Sequence, residues 1–155
     1  AACRAQTTTT HNNQKVADAA EFFARTAQAA LTGTPPVEAM RQALKGRLYG
    51  SPLHGWFEDA LNAAGEDSVT AIARFGQSCH IDGAFQSTVQ LIARHEDDPA
   101  RAMSASASAG GDSAVRNMLA GMVLCAWKGI GGLPKEWVEG LAAKARIEEL
   151  LARIG

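Results

Sequence analysis

Residues 109–128 read AGGDSAVRNMLAGMVLCAWK, and this stretch decides the fold. Its body, Ser113 to Lys128, is a long run of small and apolar residues with no strand alternation, the pattern of a central helix packed closely by its neighbours. Asp112 stands where that helix begins. A carboxylate there is an ordinary N-cap, satisfying backbone N–H groups and complementing the helix dipole. The two preceding glycines, Gly110 and Gly111, have two readings: a tight turn needing positive φ, or a bare backbone that lets a phosphate or ribose oxygen approach amides at a helix start.

Helical spacing continues on both sides. Upstream, Val16, Ala20, Phe23, Ala27 and Ala30 recur on one face of a helix over Gln14–Leu31, with Asn12 or Asn13 as its cap and Gly33, Pro35 and Pro36 as its stop. Further helices fit Val37–Leu48, Gly55–Ala64, a short stretch from Asp67 or Ser68 to Arg74, Asp82–Arg94, and Pro99 to about Ser106 after Asp97 and Asp98. Gly76 to His80 reads as a loop. Residues 1–13 read as a short helix remnant or loop, and Pro134–Arg153 reads as one terminal helix. The Ser/Ala/Gly-rich segment Ser104–Gly111 is taken as part of the fold and not as a linker. The expected class is all-α, a multi-helix orthogonal bundle forming a single unit over 1–155.

Composition narrows the function classes. The 155 residues carry a net charge of −1, which gives no electrostatic attraction to nucleic acid or anionic lipid. Apolar residues make up 46% but aromatics only 6%, so an alanine-rich core would be thin unless a partner covered it. The longest apolar run, Met118–Trp127, is too short to span a bilayer. Cys3, Cys79 and Cys125 form no C-x-x-C pair and read as reduced, mostly buried thiols of a cytoplasmic protein. Neither a Ser-His-Asp order nor a phosphate loop ending in Gly-Lys-Ser/Thr is present. Trp56, Trp127 and Trp137 read as packing residues, and Glu96, Asp97 and Asp98 as an acidic run suited to a helix start.

The run Gly110-Gly111-Asp112-Ser113, then Ala120-Gly121, Gly129, Leu133-Pro134 and Trp137, resembles the C-terminal signature of the ADP-ribosylglycohydrolase family. The likeness extends to Phe75-Gly76-Gln77-Ser78, Asp82-Gly83-Ala84 and Thr10-His11-Asn12. It implies an all-helical fold and a two-magnesium site that cleaves the bond between ADP-ribose and a modified side chain or small molecule. It also implies that this chain is the C-terminal half of such a domain, completed by an N-terminal half or by self-association.

Carried over by resemblance, Asp112 is a magnesium ligand and catalytic residue. His11 lies near the ADP-ribose, and Gly76, Gln77 and Ser78 belong to a loop lining the substrate cleft. Beside these, Gly110 and Gly111, on the open-backbone reading, and Ser113 in the first turn of the helix are candidates for substrate contact. The pattern is broken at Ala114 and Val115, where the family has an acid and a hydroxyl. Neither offers oxygen to a hard cation. Arg116, one turn beyond Asp112, is expected to pair with it or to hold a pyrophosphate bidentately. Two functions follow: a hydrolase of the ADP-ribosyl glycosidic bond, incomplete or degenerate in this chain, or a non-catalytic ADP-ribose-binding or structural module. The bland reading of His11 is a surface or capping residue.

Overall fold

The computed structural model describes residues 2–154, the side chain of Arg47 excepted. Among them there is no strand; ten α-helices and two 3-10 turns account for the ordered structure. In chain order they are α1 (Ala2–Thr8), α2 (Gln14–Leu31), α3 (Pro36–Ala43), α4 (Leu53–Asn62), α5 (Ser68–Phe75), α6 (Ile81–Arg94), α7 (Pro99–Ser108), α8 (Ser113–Lys128), α9 (Lys135–Glu139) and α10 (Lys144–Leu151). The all-α expectation is met. No helix is long and apolar enough to cross a membrane among the described residues.

Local chemistry explains most of the boundaries. Asn13 caps α2 by accepting from the amides of Lys15 and Val16, Asp67 caps α5, and Asp98 caps α7 with Pro99 in its first turn. α8 spans the predicted residues, with Asp112 as its N-cap. The expected helix over Val37–Leu48 stops at Ala43, and residues 46–48 wind into a 3-10 turn after Gly46 takes φ of 73°. The stretch expected to be a short helix remnant or loop contains the helix α1, Ala2–Thr8. The single terminal helix expected over Pro134–Arg153 is instead two short pieces, interrupted at Gly140-Leu141-Ala142-Ala143.

α2, α6 and α8 form the centre, with α3, α4, α5 and α7 packed around them and α1 lying on α2. The core is less thin than its alanine content implies. Phe22, Phe23, Phe57 and Phe85 meet at its middle, with ring centroids 4.9 Å apart for Phe22–Phe85 and 5.1 Å for Phe22–Phe23. Buried Ala19, Ala27, Ala43, Ala60 and Ala120 let the surrounding helices approach those rings closely.

Polar groups lock the periphery. Arg4 reaches from α1 to Asp18 at 2.7 Å and Glu21 at 3.0 Å on α2, two nearly buried carboxylates. The acidic run is divided among three elements: Glu96 accepts from the first free amide of α3 at Val37 (2.8 Å), Asp97 pairs with Lys128 at the end of α8 (2.7 Å), and Asp98 caps α7. Trp56 packs against the core, but Trp137 is largely exposed, a departure from the packing role expected of it. Cys79 is likewise exposed, while Cys3 and Cys125 are half-buried, so the thiols are less enclosed than expected.

Candidate functional site

The site is built at the start of α8, where the loop after α5 meets the turn after α7. Gly110 and Gly111 both have positive φ, 70° and 63°. At Gly111 there is a second constraint, because a Cβ there would overlap the Gln77 carbonyl oxygen and lie 2.6 Å from the Gln77 Cβ. Only glycine permits this closeness. The two segments are then joined: the Asp112 amide donates to the Gln77 carbonyl at 2.8 Å, and Gln77 Nε2 donates to the Ala109 carbonyl at 2.5 Å. Asp112 Oδ1 accepts from the Val115 amide at 3.5 Å, a long capping bond that leaves most of the carboxylate's hydrogen-bonding capacity unused.

Beside this turn lies a groove of about 370 Å³ between α2, α6 and α8. That volume is at the small end of the range typical of ligand clefts, roughly 300–1,000 Å³. Val16, Phe23, Ile81, Phe85 and Leu119 make its walls, and His11, Cys79 and Asp112 supply its polar and reactive groups. His11 comes from the α1–α2 connection and Asp112 from the distant α8 cap, so two of the predicted site residues share one groove. His11 is exposed, and its Nδ1 lies 3.0 Å from Thr10 Oγ1.

Other predicted residues take different places. Gly76 ends α5 at φ of 120°, and Gln77 works through its backbone and amide in holding the turn. Ser78 is exposed and lies 2.8 Å from His80 Nδ1. Gly110 and Gly111 form the turn behind the groove, and Ser113 opens α8 half-buried.

Arg116 is not placed to hold a pyrophosphate. Its side chain is 1% exposed and turns under the loop. There Nε meets Ser106 Oγ and Nη2 meets the Ser106 carbonyl, both at 3.4 Å; Nη1 meets the Gln77 carbonyl at 3.4 Å; and Nη2 also donates to the Gly110 carbonyl. Burial pulls its pKa down, opposed by the nearby Asp112 charge, and an arginine so placed stays cationic. Cys79 and the apolar walls were not singled out from sequence as site residues. Val16, Ala20 and Phe23 were visible there only as a helical stripe.

The ADP-ribosylglycohydrolase family model matches residues 1–155. The chain belongs to the ADP-ribosylglycohydrolase family. No curated protein and no solved structure matches it. Family membership supports a hydrolase-like function and points to metal dependence, and the donor set of this glycohydrolase-family chain can be tested against that. Magnesium takes oxygen ligands in a near-octahedral array. Asp112 is the only acid among the described lining residues, Ala114 and Val115 present hydrocarbon, and no group of three or more His, Cys, Asp or Glu able to hold a metal forms among the described residues. The described residues do not fit the ion.

Proposed function

We propose that this chain carries the ADP-ribose-facing groove of an ADP-ribosylglycohydrolase, a hydrolase of the glycosidic bond between ADP-ribose and a modified side chain or small molecule. The observation that supports this reading is the meeting of His11 and Asp112 at one apolar groove in a member of that family. Val16, Ile81 and Leu119, the half-buried apolar walls, offer surface to a base or ribose face. Asp112 offers a carboxylate with spare acceptor capacity, able to receive a ribose hydroxyl or a proton from attacking water. Glycoside hydrolysis ordinarily uses two carboxylates flanking the bond. This groove supplies one, so turnover requires acidic groups from another polypeptide segment or a second copy.

A specific feature favours completion by such a partner. Val115, Met118 and Met122 recur on one face of α8 and are 38%, 64% and 42% exposed. An uncovered apolar stripe beside the groove is the surface a completing element would bury. The rival reading, a non-catalytic ADP-ribose-binding or structural module, is favoured by Ala114 and Val115.

Melting the purified chain with and without millimolar ADP-ribose tests the proposal, because a ligand of the native state stabilises by mass action. The expected result is a raised Tm in the wild type that is lost in Asp112→Asn and reduced in His11→Ala. A melt indifferent to ADP-ribose rejects the ligand. Binding without release of ADP-ribose from an ADP-ribosylated peptide, with turnover gained only in the Ala114→Asp, Val115→Thr double variant, favours the binding module.

A further inference from the structure

The turn that presents Asp112 is held by a cation of the chain's own. Gly110, Gly111 and Asp112 are fixed from below by one guanidinium that contacts Ser106, Gln77 and Gly110. The Gln77 carbonyl is shared: it accepts from Arg116 at 3.4 Å and from the Asp112 amide at 2.8 Å. Arg116 therefore touches the same atom that anchors Asp112. It comes from α8 itself, so the helix that begins at Asp112 also fastens the loop leading into it.

We infer that Arg116 is a positioning residue, which sets the Gly110–Asp112 turn and thereby aims the Asp112 carboxylate into the groove. The chemistry of the side chain matters here. Arginine offers five N–H donors in a planar fork, enough to serve three separated backbone carbonyls and a hydroxyl at once. Lysine brings the same charge with three donors on one atom, and cannot span Ser106, Gln77 and Gly110 together. Gly111 completes the arrangement, since its missing Cβ is what lets the Gln77 carbonyl sit between the two groups. The turn is thus preorganised without donor oxygens at positions 114 and 115, and its positive charge is intramolecular.

The aim toward a ligand rests on the groove proposed above, whereas the hold on the turn does not, and the experiment separates them. Amide hydrogen exchange by NMR would be measured in the wild type, Arg116→Lys and Arg116→Met. The reporters are the Asp112 amide and, for the core, the Val89 amide in α6; Tm and ADP-ribose affinity would be read on the same samples. The expected result is exchange at Asp112 accelerated at least tenfold more than at Val89 in both variants. ADP-ribose affinity is expected to fall about tenfold in Arg116→Lys, close to that of Asp112→Asn. Equal acceleration at both amides would mean that Arg116 only supports global stability, and overturns the inference. Arg116→Lys serves alone if Arg116→Met does not fold. Unchanged affinity in Arg116→Lys also overturns the positioning role. A wild type that does not bind ADP-ribose overturns the ligand proposed for the groove, while the exchange comparison still decides whether Arg116 holds the turn.

Discussion

Residues 14–128 and residues 135–154 are both helical, yet they are held by different forces. In the bundle, Phe22, Phe57 and Phe85 are essentially inaccessible. In α9 and α10 no residue is buried, and Leu141, Leu150, Leu151 and Ile154 are exposed. The tail's ion pairs are local: Lys144–Glu139, Lys144–Glu148, Arg146–Glu149 and Arg153–Glu149. Such exposed pairs contribute little, because solvent and salt screen them. Helices shorter than about 12–15 residues are marginal without tertiary packing. Local pairing shapes the tail, whereas burial stabilises the bundle.

The sharpest test of that contrast is Phe85→Ala. It removes a buried ring that packs against Phe22, Phe23 and Trp56, and is expected to destabilise by about 3–5 kcal/mol in denaturant melts. A loss below about 1 kcal/mol would mean that the bundle is held no more firmly than the tail.

An intermediate effect is expected from pH. His95, at the end of α6, is buried with Nε2 3.1 Å from Ser68 Oγ. Desolvation first, then the Arg94 and Arg101 charges, lower its pKa, against smaller opposing contributions from Asp98 and Asp67. The unfolded chain therefore binds the proton more readily. The stabilising effect of a neutral His95 is fully present above its unfolded pKa, near 6.5, and is lost as pH falls from there through the folded value. Urea midpoints measured downward from pH 7 are expected to fall, and to fall less in His95→Gln. Parallel profiles would remove His95 from the account. The smallest effect belongs to the tail: Leu150→Ala is expected to change stability by less than about 0.5 kcal/mol, as for a surface substitution. A larger loss would show that α10 is packed in solution.

What was legible in the sequence follows the same division. α8 and the caps at Asn13, Asp67, Asp98 and Asp112 rest on residues within one turn of each other, so α8 and Asp112 could be read directly and the other three caps to within one residue. The single helix expected over Pro134–Arg153 breaks at Gly140-Leu141-Ala142-Ala143, where glycine disfavours a helix interior and the flanking pieces bury no residue that would offset it. In the site, resemblance picked out His11 and Asp112 but had no means of placing Arg116. Its partners lie ten residues away at Ser106 and thirty-nine away at Gln77. A polar residue amid an apolar helix looks the same in sequence whether it points to solvent or underneath a loop. Cys79 and the groove walls were hidden for a related reason, since three separate helices bring them together.

The junction Glu96-Asp97-Asp98 carries a kinetic consequence. Its three bonds close stretches of chain of very different length: Asp98 to Arg101 within one turn, Asp97 to Lys128 across α7 and α8, and Glu96 to Val37 across fifty-nine residues. Closure entropy grows only slowly with length, by about 0.6 kcal/mol per doubling, but local closures still come first. The three bonds of this junction are therefore expected to close in order of loop length, first at α7, then at the end of α8, and last at α3.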